Sequence, residues 1–145
     1  MYGLFAILGA ITVGLAIGFQ APMNAALGKL TDPKIAALWN FILGGILILL
    51  VNLIFGNIKD LSMLKVIPWY YLLGGVLGFI VVNGSILVVP VLGTGLALSL
   101  VVSAQLLAGM AIDHFGLFGV RQIPIDWQRM LGLFLLIAGV RLITR

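Results

Sequence analysis

The chain consists almost entirely of long apolar stretches separated by short polar breaks. Runs of about 20 apolar residues predict transmembrane helices, because that length crosses the hydrocarbon core of a bilayer. Five such segments follow one another, at about residues 2–24, 35–56, 69–89, 92–112 and 127–143. We therefore predict an all-α membrane protein with the lipid bilayer as its solvent, built as a single five-helix domain over residues 1–145.

The fifth segment is the shortest apolar stretch. Eleven residues, 130 to 140, separate Arg129 from Arg141, and all are apolar or glycine. Eleven helical residues rise only about 16 Å, against a core of about 30 Å. Because long arginine side chains can extend toward the headgroups, we still expect this segment to span.

Aromatic residues and prolines mark the predicted segment ends. Trp69, Tyr70 and Trp127 open the third and fifth segments, where amphipathic rings typically anchor a helix at the membrane interface. Pro33 suits the first position of the second helix. Pro90 and Gly93 predict a tight turn after Val89, between the third and fourth segments.

Composition supports the membrane reading and excludes several other classes. The chain is 63% hydrophobic and 8% charged, whereas soluble domains are about 25% charged. Its eight basic residues are too few and scattered for a nucleic-acid-binding patch. With no cysteine, one histidine and no paired carboxylates, the sequence predicts no enzyme, metal site or cofactor.

The basic residues divide evenly between the two predicted faces of the membrane. If the fifth segment spans, the face of the N-terminus carries Lys59, Lys65, Arg121 and Arg129, and the other face carries Lys29, Lys34, Arg141 and Arg145. Inner-membrane proteins normally orient by an excess of Lys and Arg on the cytoplasmic side. A balanced chain carries no such bias, so we predict insertion in both orientations and pairing with an inverted copy. If the fifth segment lay flat, the count would be six against two and the orientation fixed.

Five of the side-chain amides in the predicted spans are candidate binding groups. An amide at membrane depth is costly unless it is paired or faces water. We therefore predict that these amides bind solute in a shared midplane cavity; the alternative for each is a structural hydrogen bond within the bundle. They are Gln20, Asn24, Asn40, Asn83 and Gln105.

No span interior contains an ionisable side chain. Asp113 and His114, at the end of the fourth segment, are the only candidates for coupling to a proton or an ion. The alternative is a helix end whose titrating group is favoured by the helix dipole.

Several short motifs, in order along the whole chain, give it a family resemblance. They are Gln20-Ala-Pro-Met-Asn24-Ala-Ala-Leu-Gly28, the Gly-Gly pair near Phe41, Pro68-Trp69, Leu73-Gly74-Gly75-Val-Leu-Gly78, Pro90-Val-Leu-Gly93, Asp113-His114-Phe115-Gly116 and Arg129-Met-Leu-Gly132. Together they resemble the small inner-membrane proteins of the YdcZ type, a branch of the drug/metabolite transporter superfamily. The resemblance implies a five-helix bundle in the bacterial inner membrane and an antiparallel arrangement of two such bundles. Small multidrug exporters of that superfamily use a glutamate in the first span; this sequence contains no glutamate, so their cation/proton exchange does not carry over.

The resulting hypothesis is a dual-topology antiparallel homodimer that transports a small solute. Three alternatives stay open: a small-cation or drug exporter that uses Asp113, a non-transporting membrane scaffold, and a subunit that needs a different, opposite-facing partner. The sequence leaves open the solute, the coupling ion and the direction of transport.

Overall fold

A computed structural model describes residues 2–56 and 64–143, and every regular element in those ranges is helical. The five α-helices are α1 (Tyr2–Leu30), α2 (Pro33–Phe55), α3 (Gly74–Leu92), α4 (Thr94–Phe115) and α5 (Trp127–Ile143). Short 3₁₀ turns, Trp69–Leu73 and Leu117–Gly119, precede α3 and follow α4. Within residues 2–56 and 64–143, four helical stretches have the length and composition to cross a membrane: α1, α2, α4, and α3 together with the turn before it. The predicted residues Lys59 and Arg145 lie outside the described ranges.

The chain divides into two compact units, Met1–Pro90 and Val91–Arg145. In the first, α1 continues through Pro22 to Leu30, six residues beyond the predicted end of the first span. A proline removes one backbone donor, and a helix in an apolar environment tolerates that loss where its other backbone bonds remain intact. At 29 residues, α1 is about 43 Å long.

Only Thr31 and Asp32 separate α1 from α2, and both side chains satisfy helix ends. The Thr31 hydroxyl donates to Leu27 O at 2.8 Å, at the end of α1. Asp32 caps α2 by accepting the Lys34 backbone N–H at 2.8 Å. Pro33 occupies the start of α2, as predicted, where its missing N–H costs nothing. These local bonds stabilise a tight α1–α2 hairpin.

The first unit is packed where three helices approach closely around Gly28. Ala36 and Ala37 of α2 and Ile86 of α3 form a buried cluster, with Leu27 against it. A Cβ atom built on Gly28 would lie 2.6 Å from Ile86 Cγ2 and 3.9 Å from Ala36 Cβ. Since real Cβ atoms do not approach that closely, the absence of a side chain at Gly28 sets the distance between α1 and α3.

The predicted turn at Pro90 is wrong, because α3 continues through Pro90 to Leu92. The helix is interrupted at Gly93 alone, which adopts φ 76° and ψ 158°. L-residues rarely adopt that positive φ, so of the two residues predicted to make the turn only Gly93 breaks the helix.

In the second unit, α4 ends later than predicted, with Gly116 as a left-handed cap at φ 61°. Asp113 and His114 lie in the last turn of α4, at the end of the fourth segment as predicted. Asp126 opens α5 by accepting the Arg129 backbone N–H at 2.8 Å. The helix α5 packs against α4 with Leu133 buried, and its 17 residues rise about 25 Å.

Substituting Gly28 tests the close approach in the first unit. Gly28→Ala should destabilise the protein by about 1–3 kcal/mol, because the new methyl group must displace Ile86. Gly9→Ala is the matched control: its Cβ would meet nothing within 4 Å, and alanine favours helix by up to about 1 kcal/mol. Thermal unfolding in detergent micelles measures both. Equal melting temperatures for Gly28→Ala and Gly9→Ala would contradict the packing described.

Candidate functional site

The first unit contains a groove of about 700 Å³ between α2 and α3. Its walls are mainly aliphatic and aromatic, one amide lines it, and charged side chains lie at the end where α2 begins. The lining residues are Asp32, Pro33, Lys34, Ala37, Leu38, Phe41, Phe79, Asn83 and Leu87. An apolar groove of this size with few polar groups is typical of small-molecule sites.

Asn83 is the amide in this groove. Phe79, Asn83 and Leu87 are four residues apart and lie on one face of α3, so the amide lies between two apolar side chains. Its Nδ2 donates to Phe79 O at 2.9 Å. Within the described ranges the amide oxygen has no donor partner, which leaves an acceptor available to a solute. The amide nitrogen is therefore bonded within α3, while the amide oxygen can accept a hydrogen bond from a solute.

Asn24 lies elsewhere in the first unit, at the α1 surface that packs in the bundle. It is 5% exposed, and Ala21, Ala25 and Gly28 are buried around it on the same helix. Its amide makes no side-chain hydrogen bond to any residue that the structure describes. Gln20, one turn earlier, is exposed.

Asn40 is occupied by its own helix. Its Nδ2 donates to Ala36 O at 2.8 Å, and the residue is half-buried. Of the four candidate amides in the first unit, Asn83 lines the α2–α3 groove. Gln20, Asn24 and Asn40 do not line it.

The second unit has its own groove, of about 360 Å³, between α4 and α5. Here the lining combines an amide, a carboxylate and a guanidinium with small and apolar residues. The residues are Gln105, Leu106, Gly109, Met110, Asp113, Arg129, Gly132 and Leu133. Gln105 is thus the one predicted amide in this unit, and it shares its groove with two charged side chains.

The sequence analysis missed that Arg129 pairs with Asp113. Arg129 Nη2 lies 3.3 Å from Asp113 Oδ2, and the two side chains are 28% and 35% exposed. Opposite charges at the end of one helix and the start of the next were a usable signal, because a helical hairpin brings those ends together.

His114 connects the α4–α5 loop to the end of α4 through hydrogen bonds. Its Nδ1 accepts the Ile125 backbone N–H at 3.1 Å, and its carbonyl oxygen accepts from Gln122 Nε2 at 3.0 Å. Ile123 N–H donates to Asp113 O at 2.9 Å. A nitrogen that accepts carries no proton, so this bond requires a neutral imidazole with its proton on Nε2. The geometry gives His114 a structural role, and coupling to a proton or ion stays a prediction.

The predicted interface aromatics are exposed on the helix surfaces. Trp69 and Trp127 are 71% and 76% exposed, and Tyr70 is 47% exposed. Trp69 and Tyr70 make an edge-on contact at 6.3 Å between ring centroids. In the stretches 2–56 and 64–143, no three His, Cys, Asp or Glu side chains cluster as metal ligands.

Comparison with protein families gives one match over nearly the whole chain. Residues 5–142 match the family described as "Putative inner membrane exporter, YdcZ", which confirms the resemblance drawn from the motifs. Comparisons with curated proteins and with solved structures gave no match.

The histidine bond predicts how the α4–α5 loop responds to substitution. His114→Phe removes the Nδ1 acceptor, and losing one hydrogen bond of about 1 kcal/mol should open the loop roughly 5-fold more often. Tryptic cleavage after Arg121, measured by mass spectrometry, should accelerate accordingly. His114→Asn is the control, because its amide oxygen can replace Nδ1 as acceptor. If His114→Phe and His114→Asn are cleaved at the same rate, the bond does not hold the loop.

Proposed function

Because the chain belongs to the family described as "Putative inner membrane exporter, YdcZ", we propose that it exports a small solute as an antiparallel homodimer of subunits inserted in both orientations. Family membership and the membrane-length helices make it a multi-pass inner membrane protein. We propose, beyond this, how the subunits are arranged, which class of solute is exported and which residues bind it.

The balance of basic residues supports dual topology, provided that α5 spans. With α5 across the membrane, the eight basic residues divide four against four. The helix begins at Trp127 and includes the residues before and after the eleven-residue apolar stretch, so it is about 25 Å long. The helix is a few ångströms shorter than a hydrocarbon core of about 30 Å. The long side chains of Arg129 and Arg141 can cover that difference by extending toward the headgroups.

Unused small-residue surfaces support a second copy as the partner. Gly14 and Gly18 on α1, and Gly74 and Gly78 at the start of α3, are spaced four apart. A Cβ at any of these four would meet nothing within 4 Å. Such pairs let helices from two chains approach closely in lipid, where hydrophobic burial provides no drive for association. Gly28, by contrast, is already used inside the subunit.

The observation that carries the transport proposal is the position of Asn83 in the α2–α3 groove. Its amide oxygen accepts no hydrogen bond from any residue that the structure describes, and it lines the groove together with Phe41, Phe79 and Leu87. A mainly apolar groove with one amide suits a neutral or zwitterionic solute bound through hydrogen bonds, and Asp32 and Lys34 at the start of α2 supply both charges. In the inverted dimer each copy would contribute one such groove, together with its remaining amides Gln20, Asn24, Asn40 and Gln105.

A small-cation exporter that uses Asp113 is the second candidate. The carboxylate is partly exposed, as a cation site would need. Its charge is already countered by Arg129, however, so an entering cation must compete with a guanidinium held at 3.3 Å. This competition disfavours cation binding relative to the Asn83 groove.

Replacing the groove amide tests the proposal. Asn83→Leu should reduce transport at least about 10-fold, because the acceptor is lost and the groove is left without its polar centre. The control is Asn52→Leu: Asn52 also donates to its own helix, to Ile48 O at 2.9 Å, but it lies outside the groove. Both variants and the wild-type protein are reconstituted into liposomes. Uptake of labelled leucine, xylitol and ethidium then represents zwitterionic, neutral and cationic solutes.

The three probes separate the candidates. Transport of leucine or xylitol that is lost in Asn83→Leu and kept in Asn52→Leu is the expected result. Transport of ethidium alone, abolished by Asp113→Asn, would establish the cation exporter instead. Uptake of every probe by Asn83→Leu at the wild-type rate would remove Asn83 from the solute path.

A further inference from the structure

The α4–α5 groove carries an ion pair, Asp113 with Arg129, to which solute binding at Asn83 gives no role. Gln105, Gly109 and Asp113 are spaced four apart along one face of α4, opposite Arg129 and Gly132 of α5. A Cβ at Gly109 or at Gly132 would meet nothing within 4 Å. The two glycines therefore open space between the helices directly beside a carboxylate and a guanidinium.

The ion pair in this groove is incompletely bonded. Its single close contact joins Arg129 Nη2 to Asp113 Oδ2 at 3.3 Å, and Nη1 reaches Ile123 O only at 3.5 Å. A guanidinium has five donors and a carboxylate can accept several hydrogen bonds. Among the described residues Asp113 Oδ1 accepts no side-chain hydrogen bond. With about a third of each side chain exposed, both groups can bind a further partner without leaving each other.

The charge pattern selects one chemical class of partner. A simple anion at Arg129 would be repelled by Asp113, and a simple cation at Asp113 would be repelled by Arg129. A molecule with a carboxylate and an ammonium on neighbouring atoms satisfies both groups at once and keeps the groove neutral. Arginine is also the residue whose planar donors match a carboxylate with two parallel hydrogen bonds.

We propose that the α4–α5 groove binds a zwitterionic solute of the α-amino-acid type. The solute carboxylate binds Arg129, its ammonium binds Asp113, and an apolar side chain lies against Leu106, Met110 and Leu133. The volume of about 360 Å³ suits a small molecule. This assignment rests on the proposed transport function. It narrows the transported solute from neutral or zwitterionic to zwitterionic.

Three probes of the same shape test the charge requirement on the purified wild-type protein in detergent. Leucine carries both charges, leucinamide carries only the ammonium, and 4-methylpentanoate carries only the carboxylate. Isothermal titration calorimetry should show leucine binding, with each single-charge analogue roughly 10- to 100-fold weaker. Leucine binding no tighter than both analogues, or absent, would overturn the proposal without any variant having to fold.

Substitutions then locate the site. Gly109→Leu fills the groove and leaves the ion pair intact, so leucine binding should be lost. Gly139→Leu is the matched control, since Gly139 has equal free space on α5 but lines a different groove. Asp113→Asn should weaken leucine more than 4-methylpentanoate, a selectivity that a purely structural ion pair would not produce. Normal leucine binding by Gly109→Leu would place the site elsewhere.

Failure of this inference can be told apart from failure of the transport proposal. Asn83→Leu leaves the α4–α5 groove untouched, so it should bind leucine with wild-type affinity even if its transport is lost. Transport that depends on Asn83 with no leucine binding in the α4–α5 groove would refute the inference alone. Leucine binding in that groove, together with normal transport by Asn83→Leu, would refute the role of Asn83 and leave the groove as the solute site.

Discussion

The bilayer interior offers no water to polar groups, and the placement of polar side chains in this protein follows from that constraint. Hydroxyls and amides along the helices donate to carbonyls of their own helix: Thr12 to Leu8, Asn40 to Ala36, Asn83 to Phe79 and Ser103 to Ser99. These bonds satisfy donors locally and do not require a neighbouring helix. An asparagine bonded in this way still presents its carbonyl oxygen, so it remains usable for recognition. The charged side chains that the structure describes lie near helix ends, where the Asp113–Arg129 pair is one-third exposed.

Packing follows the same constraint. Because lipid is as apolar as leucine, helices in a membrane are held by close backbone approach at small residues. The chain uses this at Gly28, where α1, α2 and α3 meet, and leaves it unused at Gly14, Gly18, Gly74 and Gly78. A single subunit thus contains both a completed contact and candidate contacts for a second copy. Two inverted copies would also give each membrane face one α4–α5 groove, so that both faces would bind solute with the same chemistry.

The apolar runs and their order were enough to predict five helices, the α2 start at Pro33 and the α5 start at Trp127, and the motifs were enough to identify the family. Features that depend on tertiary context are not encoded in the apolar pattern. The sequence predicts a turn at Pro90, yet α3 continues through Pro90 to Leu92. The pairing of Asp113 with Arg129 depends on how a loop returns the chain, which periodicity does not encode. In the first unit Asn83 lines the α2–α3 groove while Gln20, Asn24 and Asn40 do not, and a cavity that the amides share in a dimer stays a prediction.

Dual topology is the central claim, and it depends on α5 crossing the membrane. The most direct measurement uses the absence of cysteine: one cysteine is added at the N-terminus in one variant and at the C-terminus in another. A membrane-impermeant maleimide is applied to intact cells and then to permeabilised cells. The account predicts that roughly half of each terminus is labelled from outside and the rest only after permeabilisation, as expected for a chain without an orienting charge bias. Labelling of each terminus from one side only would contradict it, and both termini on the same side would show that α5 does not span.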